Sequence, residues 1–63
     1  MNKLKLCRER AELTQVELAK RTGFEQALIS KVEAGGRDLK GQQWKLVASV
    51  LNCSTDELLG VEK

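Results

Sequence analysis

The chain has 63 residues, 41% hydrophobic and 32% charged, with a net charge of +2 and neither proline nor histidine. So short a chain holds one domain at most (residues 1–63) with a small core, and Cys7 and Cys53 alone give no ligand-spaced metal set and at best one disulfide. No apolar run exceeds three residues, which excludes a membrane span and leaves regular helix packing to stabilise the fold.

Ten leucines against six Val and Ile and two aromatics, Phe24 and Trp44, favour helices throughout. Leu4, Cys7 and Ala11 recur at i, i+3 and i+7, which predicts a first helix over about residues 3–11. Thr14-Gln15-Val16-Glu17 then reads as a capping box, with Leu13 and Leu18 placed as its hydrophobic staple. The second helix therefore starts at Gln15 and stops at Gly23, a residue that tolerates positive φ. A third runs from about Gln26 to Ala34, with Ile29 and Val32 as its apolar side and Gly35-Gly36 as its stop. Its N-cap, Glu25, is a poorer cap than Ser or Thr, although its charge suits the helix dipole. After the polar connector Gly35-Gly36-Arg37-Asp38, Trp44, Val47, Ala48 and Leu51 mark a fourth helix, with Asn52 as a left-handed terminator. Ser54-Thr55-Asp56-Glu57 reads as a second capping box, with Cys53 and Leu58 as its staple, and Gly60 closes the fifth helix. Cys7 and Cys53 both fall at core positions and read as small buried hydrophobes.

Charge is distributed unevenly along this all-α chain. Residues 1–45 carry ten Lys/Arg against six Asp/Glu, while residues 46–63 carry one Lys against three acids. A basic body with an acidic end is suited to a polyanion on one side.

The stretch Thr14 to Gly35, TQVELAKRTGFEQALISKVEAG, holds two helices separated by about three residues that include a glycine, the spacing of a helix-turn-helix at about 14–34. Ala19, one turn before Gly23, lets the third helix cross the second closely, and Leu18, Ile29 and Val32 close a core between them. If these face inward, Gln26, Ala27, Ser30 and Lys31 lie on the outward side of the third helix. That face has two long hydrogen-bonding side chains, two small residues and no acid. Such a surface can enter a major groove roughly 12 Å wide, with Gln suited to adenine N6/N7 and Lys to guanine O6/N7.

Six features in order, Thr14-Gln15, Glu17-Leu18-Ala19, Gly23, Ile29 with Val32-Glu33, Gly35, and Ser54…Asp56-Glu57-Leu58-Leu59, carry a closer likeness. From Leu4 to Leu59 the chain resembles the phage-repressor and Cro type of helix-turn-helix domain, the XRE family. The resemblance implies a compact five-helix, lambda-repressor-like fold that binds double-stranded DNA as a small bacterial or phage regulator, a repressor, in the cytoplasm and on the nucleoid. It places Gln26, Ala27 and Lys31 at base edges. Gln15 falls where a phosphate contact can also brace the first residue of the recognition helix, here as a Gln15–Gln26 amide pair. It matches Arg8 and Glu33 to an ion pair joining the first and third helices, either partly buried or two exposed charges. Against the family's pattern, Glu25, Leu28, Ala34, Gly36 and Leu39 are departures. Leu28 either packs beside Phe24 or touches a thymine methyl. Arg37 and Lys40, with Arg10, Lys20 and Arg21, remain as candidate backbone contacts.

One recognition helix reads half a site, so two-fold related copies are expected on DNA. Leu46 and Val50, and similarly Leu6, lie beside the core-facing rows. They either widen the core stripe or form the patch for a second copy. No cofactor, small-molecule substrate or catalytic group is evident, since His, a phosphate loop and paired carboxylates in a cleft are all missing. The alternative to DNA reading is an antitoxin-like or coactivator-like interaction module on the same fold.

Overall fold

Capping chemistry sets where five helices begin and end along the described residues, 2–60, of the computed structural model. They are α1 (Leu4–Arg10), α2 (Gln15–Thr22), α3 (Gln26–Glu33), α4 (Gly41–Leu51) and α5 (Thr55–Leu59). The expected bounds differ by a residue at the ends of α1 and α3, where terminal turns fray. Part of the acidic end read over residues 46–63 lies outside the described residues.

At α2 both halves of the capping box form. Thr14 Oγ1 accepts from the Glu17 N–H at 3.1 Å, and Glu17 Oε1 accepts from the Thr14 N–H at 3.0 Å. The bonds from the Thr14 backbone and side chain hold the Glu17 carboxyl below the usual carboxylate range. The second box, expected at α5, is only half formed. Ser54 Oγ accepts from the Glu57 N–H at 3.1 Å, but Glu57 Oε1 meets the Ser54 hydroxyl at 3.5 Å instead of the Ser54 N–H, and Glu57 Oε2 accepts from Arg10 Nη2 at 2.8 Å. A charged partner outcompetes the neutral backbone N–H for that carboxylate. At α4 the Gln43 carbonyl accepts from the Lys40 N–H at 2.8 Å. The start of α1 is capped by Asn2, whose Oδ1 accepts from the Leu4 N–H at 3.0 Å while its Nδ2 donates to the Val32 carbonyl at 2.8 Å. Glu25 precedes α3 without a side-chain capping bond.

The exits share one device. Each helix is followed by a residue in the left-handed region: Glu12, Gly23, Gly35, Asn52 and Gly60. After α1, α3 and α4 the next N–H reaches back five residues, Leu13 to Arg8, Gly36 to Lys31 and Cys53 to Ala48, at 3.2, 2.9 and 3.0 Å. That is the Schellman pattern, which satisfies carbonyls that a helix end leaves open. Gly23 closes α2 with a single bond to the Ala19 carbonyl at 2.8 Å, at a φ of 78° that a side chain would oppose.

With the chain turned so often, α2 packs on α3 and α4, α5 on α4 and α1, and α1 on α3. Leu4, Leu18, Ile29, Val32, Val47 and Leu58 are fully buried at the centre, joined by Trp44, Ala48, Leu51 and Cys7. Leu39, just after the polar connector Gly35-Gly36-Arg37-Asp38, is buried too and adds a core side chain between α3 and α4. Leu28 and Phe24 are both half-buried against this cluster. Cys53 is half-buried rather than buried, and both cysteines are free thiols. Partial burial first, then the neighbouring Cys7, pushes the Cys53 thiol up to about 11. No helix of the described residues is long and apolar enough to cross a membrane.

Candidate nucleic-acid interface

Burial of Ile29 and Val32 fixes the rotation of α3, and helical geometry then decides what the helix shows outward. Gln26, Ala27, Ser30 and Lys31 are all exposed, on a helix that contains no acid before Glu33. The ion pairs among the described residues are Arg8–Glu33 and Arg10–Glu57, so Lys31 faces outward without a carboxylate partner. Arg37 and Lys40 are exposed on the connector that follows α3. Glu25 is exposed at the start of α3, and Asp38 Oδ1 accepts from the Leu39 N–H at 2.9 Å.

Behind this face runs a line of polar contacts. Arg8 Nε donates to Glu33 Oε2 at 2.6 Å, and Arg8 Nη2 donates to Glu33 Oε1 at 3.2 Å. The two side chains are only 10% and 5% exposed. Arg8 Nη1 donates in turn to the Leu13 carbonyl at 2.7 Å. The Glu33 bond raises the Arg8 guanidinium above its already high ordinary value. Of the two geometries open in sequence, the structure shows the buried one.

Glu33 has a second partner that sequence does not reveal. Gln15 Nε2, at the start of α2, donates to Glu33 Oε1 at 3.1 Å. The Gln15 carbonyl then accepts from Gln26 Nε2 across a long contact of 3.5 Å. The line from Gln26 through Gln15 and Glu33 to Arg8 therefore joins the outward face of α3 to the scaffold. Asn2 is the other missed residue, since it holds the last turn of α3 through the Val32 carbonyl. Its signal was local: an Asn side chain favours a bond to the backbone N–H two residues on, here that of Leu4.

The model of the helix-turn-helix family matches residues 4–58. The chain belongs to the helix-turn-helix family. The match is to the XRE type and spans all five helices but the last residue of α5. Membership makes this helix-turn-helix protein a DNA-binding protein of the transcription-regulator type, in a family that is not one of enzymes. No curated protein sequence matches the chain. Within the helix-turn-helix motif, α2 and α3 are the two helices and Gly23-Phe24-Glu25 is the turn. Leu46 on α4 is 41% exposed and Leu6 on α1 is 55% exposed, so neither widens the core. Val50 does, being half-buried against the cluster.

Proposed function

We propose that this protein reads a specific double-stranded DNA site as a small bacterial or phage repressor, acting in the cytoplasm on the nucleoid. The observation that carries the reading is the outward face of α3, exposed, polar and acid-free from Gln26 to Lys31. In this reading α3 lies in the major groove, with Gln26, Ala27, Ser30 and Lys31 at base edges. Gln15, Arg37 and Lys40 contact phosphates and set register, while the bases supply specificity. Ala34 and Gly36 offer no phosphate-binding side chain, and Glu25 is repelled there, so each copy binds modestly.

Selection of bound sites from random duplexes at fixed salt tests the reading. Gln26→Ala is expected to relax one base position at a cost of about 1–3 kcal/mol. Lys40→Ala is expected to weaken all sites alike and to reduce the salt slope by about 1. A wild-type protein with no salt dependence and no preference over random DNA leaves the second reading, an antitoxin-like or coactivator-like module. Exposed Leu6 and Leu46 are the observation that favours that second reading.

The working unit of the proposal is a homodimer reading two half-sites about one helical turn apart. Leu46, with the exposed part of Val50, supplies the patch on α4. Leu46→Lys is expected to yield monomers by light scattering at micromolar concentration, where the wild type is dimeric at least on DNA. A wild type that stays strictly monomeric alone and on DNA removes the dimer.

A further inference from the structure

The line of contacts behind α3 has a polarity, and the polarity has a consequence for which base Gln26 accepts. Glu33, bonded to Arg8 through both oxygens, can only accept hydrogen bonds. Gln15 must therefore turn its NH2 toward Glu33, which leaves the Gln15 carbonyl facing Gln26. Gln26 Nε2 directs one N–H to that carbonyl across 3.5 Å. What it retains is a single N–H beside its own carbonyl oxygen. Adenine offers a donor and an acceptor in the major groove, N6–H and N7, and fits that remainder. Guanine offers two acceptors, O6 and N7, and meets one donor and an opposing oxygen. A Gln26 released from Gln15 has both N–H groups free and can satisfy both guanine acceptors.

We infer that Glu33, acting through Gln15, is a specificity-determining positioning residue that biases Gln26 toward adenine and against guanine without touching DNA itself. The inference rests on the proposed reading of DNA by α3. It assigns to the Arg8–Glu33 pair a role in base choice in addition to holding α1 against α3.

The test measures adenine against guanine at the base pair that Gln26→Ala relaxes, by competition between duplexes at fixed salt. Two variants break the line at different points. Gln15→Met removes the relay on a half-exposed side chain and leaves the buried pair intact. Arg8→Met/Glu33→Leu removes the anchor while keeping both glutamines and stranding no buried charge. Each is expected to lower the adenine-over-guanine ratio at that one pair by about two- to tenfold, the worth of one neutral hydrogen bond. Ratios at other positions stay at the wild-type value. A lost Gln15–phosphate contact, or a loosened fold, scales all duplexes together and cancels in the ratio. Wild-type ratios at that pair in both variants overturn the relay while leaving base reading by Gln26 in place. If Gln26→Ala changes no position, base reading by α3 fails and the relay fails with it.

Discussion

Arg8→Met is expected to destabilise the protein by about 3–5 kcal/mol in urea unfolding, because it strands a buried carboxylate. Glu33 would keep only the neutral N–H of Gln15 at 3.1 Å in place of two charge-assisted bonds. Glu33→Leu is expected to cost a similar amount, since Arg8 would keep only the Leu13 carbonyl at 2.7 Å. In so small a domain each 1 kcal/mol moves the melting midpoint by about 4–8 °C, so either single change removes most of the folded range. The double variant Arg8→Met/Glu33→Leu is expected to recover much of the loss, because no charge then remains in the interior and the replacements fill similar space. The signature is non-additivity: a double-mutant cycle should show coupling well above the few tenths of a kcal/mol seen for independent sites. Additive losses would mean that the two side chains act separately despite their 2.6 Å contact. The pair joins residues 25 apart in sequence. Its loss therefore detaches α1 from α3 rather than weakening one helix.

Most helix boundaries were legible because their signals lie within a few residues of the event. Thr14 with Glu17, and then Gly23, Gly35, Asn52 and Gly60, each act through local backbone chemistry. Glu12 escaped because it carries no such signal: its φ of 61° follows from the close of α1, and glutamate has no preference for that region. Leu39 escaped because burial of a connector side chain depends on what the chain folds against, and helical periodicity does not reach it. The second capping box shows the opposite failure. Ser54 and Glu57 carry the right signature, yet an arginine 47 residues away takes one carboxylate oxygen and the other meets the Ser54 hydroxyl rather than its N–H. The outward face of α3 followed from period alone once Ile29 and Val32 were placed inside. The two halves of the contact line, Gln15 with Gln26 and Arg8 with Glu33, came from family resemblance. Their junction at Glu33 did not, because it needs the separation of α2 and α3 in space.

Leu58→Ala is the second change with a large expected effect, about 2–5 kcal/mol from lost burial and the cavity left behind. Leu59→Ala, one residue on and 40% exposed, is expected to stay within about 1 kcal/mol. The contrast follows from the length of α5. Five residues cannot hold a helix in water, so α5 persists through the burial of Leu58 against its neighbours. Leu58 is also where the start of the chain is fastened, since its carbonyl accepts from the Lys3 N–H at 2.7 Å. Lys3 follows Asn2, which caps α1 through Leu4 and holds the Val32 carbonyl near the end of α3. Loosening α5 should therefore spread along that path before it reaches α2. Native-state hydrogen exchange reads the order: in Leu58→Ala the amides of Lys3, Leu4 and α5 lose protection first, ahead of Leu18 and Ile29. Uniform loss across all five helices would show instead that Leu58 supports the whole core as one cooperative unit. In the expected case the last helix, remote in sequence from the exposed face of α3, steadies that face through the two residues that precede α1.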